Sequence, residues 1–376
     1  MINQNIKIGE VCDLCSKKTI DTTQVSIESQ RRCPVCRGLR LKKEELINNA
    51  LQKINQNKYE WDTFWIGLKL IKQKSQEIEE LRRIFKKEFK KELLLQLEKV
   101  SGKRAQISNP DLFIIFSEAG KVYVESRPIY IEGNYTKLVK YISQIKWICP
   151  ECNGSGCFEC DFRGRHFATS IEELLEIPLK TTFLCDKVYL HAGGREDVDV
   201  LVLEKGRPFV VEIRNPKKKL SFKLEEIEQL INDFAKGMIE VKLKEFVAPT
   251  RKSEIKLISE KSFKKYVGIV KFSTSISSTE LLKLSEFFNN KFIEQRTPLR
   301  VLQRRSDILR KKLIKECNFT RITDHLAKFE VVCEGGTYIK EFINGDDGRT
   351  SPSVSEVLGT QAMCAELQFV GVCEEK

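Results

Sequence analysis

Four Cys-x-x-Cys pairs constrain this chain more than any other feature: Cys12/Cys15, Cys33/Cys36, Cys149/Cys152 and Cys157/Cys160. Each pair can form a knuckle whose backbone amides stabilise thiolate charge, and two pairs together supply the four sulfurs of a closed tetrahedral metal site. The first two pairs lie about twenty residues apart, the usual spacing of a structural zinc site. The last two are joined by Asn153-Gly154-Ser155-Gly156, where the glycines let a very short loop fold back. Free or redox-active thiols are the alternative reading. A four-sulfur site has no open coordination position, so both zincs would be structural.

The remaining composition narrows the chemistry. Three histidines occur in 376 residues (His166, His191 and His325), so carboxylates, lysine and tyrosine must carry any acid–base work. A net charge of +12 favours a polyanionic partner, most simply nucleic acid. No apolar run reaches bilayer-spanning length, and Met1-Ile2-Asn3-Gln4 lacks the basic-then-apolar start of an export signal, so no membrane partner and a cytoplasmic location are expected. Without G-x-G-x-x-G, a P-loop or H-E-x-x-H, nucleotide cofactors and zinc hydrolysis lack support.

Apolar periodicity gives a coarse map. A helical pattern runs from Lys42 to about Glu98, with Ile78, Leu81, Ile84, Phe85, Phe89 and Leu93 on one face. Opposite lie Arg82, Arg83, Lys86, Lys87, Lys90 and Lys91, either a solvated face or a surface for RNA phosphates. Strands are expected at Leu112–Phe116, Lys121–Glu125 and around Ile129, ending a small α+β domain near Trp147. Further on, Ile171–Ile177 reads as a helix capped from Thr169-Ser170, and Leu224–Val241 as an amphipathic helix. Pro208–Ile213 reads as a strand turning back at Lys205-Gly206-Arg207 onto the strand that begins at Val198. Tyr266–Phe272 is a strand, Leu281–Phe288 a helix, and a lysine-rich helix is expected to follow the basic stretch Arg296–Arg305 through Lys315. In Gly193-Gly194-Arg195-Glu196-Asp197, a polar turn enters a buried strand, a placement that can hold a carboxylate at the mouth of a cleft.

In order along the chain, Gly194-Arg195-Glu196-Asp197-Val198-Asp199-Val200, Gly206-Arg207-Pro208-Phe209, Thr297-Pro298-Leu299-Arg300-Val301, Gly336-Thr337-Tyr338-Ile339-Lys340-Glu341-Phe342 and Gly345-Asp346-Asp347-Gly348-Arg349-Thr350 resemble the archaeal and eukaryotic tRNA pseudouridine synthases that modify the T-loop and carry a THUMP-containing domain. Pro110-Asp111, Gly133–Leu138 and Gln144–Trp147 look like that family's THUMP region, and the compact N-terminal part resembles its archaeal branch. The resemblance implies an α+β chain. A zinc-binding segment (residues 1–40) and a THUMP-containing RNA-binding domain (41–147) would form an α/β accessory part. A second zinc clip (148–168) would then lead into a catalytic domain (169–376) with a mixed, mainly antiparallel sheet flanked by helices. It also implies isomerisation of uridine 55, with uridine 54 as a further candidate, in the T-loop and arm of tRNA, without an organic cofactor.

Carried over by motif, Asp197 is the essential carboxylate, as nucleophile or as base in a glycal route. Lys340 is its cationic neighbour, and Tyr266 stacks on the extruded base. Ile339 and Leu367 wall the pocket, and Tyr338 is a competing aromatic. Arg300, Arg304 and Arg305 are expected on phosphates, while Arg195 and Arg349 either bind phosphate or pin cleft carboxylates. Gln303 stands where the family usually has histidine. Two other classes fit the sequence less well. A thiolase or methyltransferase needs a glycine-rich strand-to-helix turn that is absent, and a non-catalytic zinc module would not need Asp197, Tyr266 and Lys340 together.

Overall fold

The computed structural model describes Cys12, Cys15 and residues 33–373; most of the segment before Cys33, including Met1–Gln4, lies outside the described residues. The chain forms two compact units. One comprises residues 1–128 with two later pieces, Phe183–Asp186 and Arg214–Ser221; the other holds the rest.

In the first unit, helices α1 (Lys43–Gln56) and α2 (Gln76–Ser101) accompany a four-stranded sheet. Its strands are β1 (Thr63–Lys69), β2 (Arg104–Ala105), β3 (Leu112–Ser117) and β4 (Val122–Ser126), in the order β2-β1-β3-β4. The single helical pattern read from Lys42 to Glu98 is therefore two helices separated by a strand. Phe64, Ile66 and Leu68 of β1 alternate into the core, a period of two that a search for period 3.6 passes over. Ser75 caps α2 by accepting the Ile78 amide, and Phe85, Phe89, Leu93 and Leu97 line its buried face. Arg82, expected on the charged face, is instead 2% exposed, paired with Glu118 and donating to the Pro34 and Val35 carbonyls. The later pieces are bound in by polar contacts: Asn215 Oδ1 accepts from the Ser126 amide (2.8 Å) and Tyr59 hydroxyl (3.0 Å), and Lys219 pairs with Asp111 (3.0 Å).

The second unit is built on a ten-stranded sheet. Its strands are β5 (Ile129–Lys137), β6 (Lys187–Ala192), β7 (Leu201–Arg214), β8 (Ile239–Phe246) and β9 (Phe263–Phe272), then β10 (Lys291–Gln295), β11 (Arg310–Arg321), β12 (Leu326–Glu334), β13 (Thr350–Ser351) and β14 (Ala362–Cys373). The order is β13-β10-β11-β12-β9-β14-β7-β5-β8, with β6 beside β7. Along that path β7 and β14 run parallel and the other neighbours antiparallel, which gives the expected mixed, mainly antiparallel sheet. Its helices are α3 (Ile171–Phe183), α4 (Leu224–Ala235), α5 (Arg251–Lys261), α6 (Ser278–Phe288), α7 (Ile339–Asn344) and α8 (Val354–Leu358). Ser170 caps α3 as expected, its hydroxyl accepting the Glu173 amide.

The first compact unit ends at Pro128, and β5 beyond it pairs with both β7 and β8. Several local expectations are overturned here. There is no hairpin at Lys205-Gly206-Arg207: β7 is one continuous strand, kinked where Glu204 (φ 49°) and Gly206 (φ 69°) turn left-handed. A side chain at Gly206 would meet the Tyr135 carbonyl at 2.6 Å, so close strand approach, not reversal, explains that glycine. Val198–Val200 belong to a turn, closed by the Val200 amide on the Asp197 carbonyl, and the strand starts at Leu201. Helix α4 stops at Ala235 because Lys236 and Gly237 turn left-handed, and β8 follows. The lysine-rich run through Lys315 is strand β11, held between β10 and β12; tertiary pairing overrides local helix preference.

Strand β9 lies between β12 and β14 and yields two predictions. A Cβ at Gly268 would sit 2.3 Å from the Glu366 carbonyl and 2.5 Å from the Phe329 ring, so Gly268→Ala should destabilise the protein by about 1–3 kcal/mol in urea unfolding; an unchanged midpoint would contradict this packing. Burial lowers the ammonium of Lys264 to about 8, with the charges of Arg207 and Lys312 adding to the shift. Between about pH 8 and the usual lysine value of 10.5, the unfolded chain holds a proton that the folded one has shed, so this group's contribution to stability rises with pH in that window. Lys264→Met should therefore stabilise at pH 7, and the gain should shrink by pH 10; a pH-independent difference would refute it.

Candidate active site

The loop between β6 and β7, residues 193–200, is positioned from beneath by buried charges. Glu196 turns inward, where Arg207 Nε lies 2.6 Å from its carboxylate and the Tyr135 hydroxyl donates at 2.8 Å. Gln144 Nε2 donates to Tyr135 and to the Gly194 carbonyl, and Arg207 Nη1 to the Gly193 carbonyl at 2.9 Å. Glycine is required at 194: with φ at 95°, an added Cβ would stand 2.6 Å from Arg207 Nη1. Lys137, fully buried on β5, donates to the carbonyls of Val198 (2.7 Å) and Asp197 (3.3 Å). Burial lowers its ammonium to about 8 against the pull of Glu196, Asp199 and Asp197.

With Glu196 facing in, Asp197 faces out, its side chain 36% exposed. Arg300 Nη1 lies 2.9 Å from the carboxylate and Lys340 Nζ 3.4 Å. Lys340 lies nearer Asp199, at 2.8 Å from both oxygens, so Arg300 is the closer cation to Asp197. Arg300 also holds buried Glu341 (2.6 Å). Burial works against the Arg300 charge, but its bond to Glu341 and the charge of Asp197 outweigh that and hold its pKa up. Burial likewise opposes the charge of Asp199, yet Lys340 keeps it below the usual carboxylate range. The result is a chain of alternating charge, Glu341–Arg300–Asp197–Lys340–Asp199, drawn from the loop, the 3₁₀ turn Leu299–Arg304 and α7.

An apolar cluster adjoins this chain. Ile339 opens α7, Leu367 lies on β14, and Tyr266 of β9 packs against the cluster that contains both. The Tyr266 ring meets Phe369 edge-on at 5.5 Å. Burial, then the neighbouring Cys333, hold its phenol above the usual tyrosine value, and the field of Asp197 acts in the same direction. Asp197, Lys340, Tyr266, Ile339 and Leu367 are thus brought together from four distant stretches.

The other residues marked in the sequence fare differently. Tyr338 precedes α7, its backbone amide and carbonyl both bonded to the Gln295 side chain, and its hydroxyl accepts from Arg305 at 3.3 Å. Arg349 donates to the Thr297 carbonyl and pairs with Asp307, so it supports the loop that carries Arg300. Arg195 lies over the Trp147 ring, 5.4 Å from its centroid. The Arg304 side chain lies outside what the structure describes. Arg300, expected on a phosphate, is instead the main partner of Asp197. Asp199, Glu341, Lys137 and the Glu196–Arg207 pair carry the site and were not singled out. The alternation Asp197-x-Asp199 was visible, whereas partners for buried Lys137 and Arg207 depend on long-range pairing.

Both cysteine groups converge: in each, the four sulfurs lie within 4.8 Å of one another. Sulfur–sulfur separations of 3.8 Å for Cys12–Cys36, 3.8 Å for Cys149–Cys157 and Cys152–Cys160, and 3.7 Å for Cys157–Cys160 are far beyond a disulfide. They match the ~3.8 Å edge of a tetrahedron with metal–sulfur bonds of ~2.3 Å. Amides of Gly156 and Gly164 point at Cys152 and Cys160 sulfurs at 3.2 Å, as thiolate ligands require. Cys33 and Cys15 complete the first group, whose members are all buried. Each group can hold a metal ion and is compatible with zinc.

Comparison with known proteins bears on the same regions. The family model described as "Pus10, C-terminal" matches residues 130–372, which span the second unit's sheet. A protein of Methanosphaera stadtmanae named tRNA pseudouridine synthase Pus10 is 33% identical over 92% of this chain and 90% of its own. A protein of the same name from Methanothermobacter marburgensis is 38% identical over 93% of this chain and 88% of its own. Among solved structures, a Cbf5-Nop10-Gar1 complex aligns with 52% of this chain and 43% of its own at 18% identity and a TM-score of 0.32, too distant to build on. With a family model matching well over half its length and relatives aligned nearly end to end, this chain belongs to the Pus10 family.

Proposed function

We propose that this protein is a tRNA pseudouridine synthase that isomerises uridine 55, with uridine 54 as a second candidate, in the T-loop of tRNA. The observation that carries the reading is the Asp197 carboxylate, held by Arg300 and Lys340 beside the half-buried Tyr266 and the apolar Ile339 and Leu367. The reaction breaks the bond between uracil N1 and the ribose, turns the base, and joins C5 to the same carbon; C5 gives up its proton and N1 ends with one, so the product is an isomer of the substrate. It consumes no redox equivalents, so no organic cofactor is needed.

A carboxylate suits either route to N1 release, as nucleophile or as base on the ribose, provided it is ionised and oriented. Two cations at 2.9 and 3.4 Å fix its direction. Tyr266 offers a face on which the extruded uracil can stack, offsetting part of the cost of removing it from the folded loop. Its phenol, kept protonated by burial, can donate a hydrogen bond to the base stacked on it. Arg305 and Arg195 are candidates for RNA phosphates, and the first unit is the candidate THUMP-containing RNA-binding part. The two cysteine groups are assigned structural zinc.

Three measurements test this. Purified protein without added cofactor should convert uridine in an unmodified tRNA transcript, read by carbodiimide labelling and primer extension; silence at both positions with folded, metal-loaded protein would refute the assignment. Asp197→Asn should lower turnover by more than ~10³-fold while leaving tRNA affinity within about twofold, and retained turnover would remove Asp197 from the chemistry. Elemental analysis should return two zinc ions per chain, whereas a single ion would leave one cysteine group as thiols.

A further inference from the structure

Residues 138–148 cross beside the catalytic loop without forming a helix or strand of their own. The segment is nevertheless tightly fixed. The Tyr141 amide donates to the Val198 carbonyl at 2.7 Å, one residue past Asp197, and Lys137 holds the same carbonyl. Gln144 reaches the Gly194 carbonyl at 3.0 Å, and Ser143 bridges to Ser170. Trp147 lies under Arg195. The strap and the loop therefore move as one piece.

Its outward side is unusual. Leu138, Tyr141, Ile145 and Ile148 are 40%, 69%, 38% and 52% exposed, four large apolar side chains within eleven residues. The charged residues of the strap are Lys140 and Lys146, each facing an acid from another element, Glu366 at 3.8 Å and Glu173 at 3.6 Å. Single exposed apolar residues are ordinary on a surface, but four large ones on one short, fixed strap mark an interaction face. Tyr141 stands out further. Its backbone is left-handed (φ 66°), a conformation a bulky aromatic rarely adopts, and the hydrogen bond to Val198 holds it there. A loop residue with no outward task would be served there by glycine or asparagine. What remains is an aromatic ring presented to solvent on a residue whose amide is bonded to the loop that carries Asp197.

We propose that the strap 138–148 is a nucleobase-binding surface, with the Tyr141 ring as the stacking platform for a base flanking the extruded uridine. This rests on the functional reading above. Removing a uridine from its stack leaves its neighbour with one bare face. An aromatic fixed next to the carbonyl of Val198 covers that face in register with Asp197. A stacking platform tolerates any base because every base has a π-face, so the ring rather than the paired lysines carries the contact.

The test is made in the Asp197→Asn protein, which binds without turnover, so its result does not depend on catalysis. Tyr141→Gly removes the ring while suiting the left-handed backbone, so its melting temperature should not fall. Its dissociation constant for a tRNA transcript should rise at least about tenfold. Tyr141→Phe, which keeps the ring, should bind like the parent. The slope of log affinity against log salt should be the same for all three, because no ion contact is lost. Equal affinity for the glycine variant, or a loss in the phenylalanine variant as large as that in the glycine one, would overturn the proposal. If wild-type protein binds tRNA through Tyr141 yet modifies no uridine, the functional reading fails and the surface assignment stands.

Discussion

The ion pair between Glu196 and Arg207 holds everything that follows. Both side chains are about 1% exposed, and a charge placed that deeply is unfavourable unless its partner is equally fixed. Here the partner is fixed several times over, through Tyr135, Gln144 and the Gly193 carbonyl. Such a pair contributes little net stability against an apolar replacement, but losing one member strands the other charge. Its value is geometric. Glu196 anchors the loop from below while its neighbour Asp197 faces outward, so the exposed carboxylate stands on a loop pinned by a residue that faces away from it.

On the outer side the same logic runs through Arg300. Its guanidinium is shared between buried Glu341 and exposed Asp197. Glu341 fixes the guanidinium plane in place, leaving the Nη1 edge for Asp197. Lys340, adjacent to Glu341 on α7, takes up the second acid of the loop, Asp199, at shorter range. Two acids of the loop thus meet two cations that are anchored elsewhere. A point charge on a flexible lysine could not by itself fix a carboxylate so well.

Much of this was legible in the sequence and some was not, for identifiable reasons. The two cysteine groups were readable because spacing alone determines which sulfurs can meet, and Cys149–Cys160 closes within twelve residues. Asp197 and Lys340 were readable from motifs and lie 3.4 Å apart, while Tyr266 and Leu367 belong to one apolar cluster. The unseen parts depend on long-range pairing. Strand β1 hid between two helices, β11 was disguised by lysines that favour helix, and β7 looked like a hairpin because its kink uses a turn's glycine. Arg300 looked like a phosphate ligand because an arginine in a basic stretch gives no hint that an acid from another element will reach it first. Arg82 misled in the same way.

The first unit takes Phe183–Asp186 and Arg214–Ser221 from far down the chain. Glu60 accepts the Lys219 and Leu220 amides and the Ser221 hydroxyl, while Asn215 serves Tyr59 and Ser126. As the polypeptide leaves the ribosome, these acceptors and donors must wait in water until Ser221 has emerged. A gene cut after Pro128 would encode a fragment with those groups permanently open to solvent. Synthesis order and structural order are therefore interleaved: the first unit is complete only once Ser221 has been made.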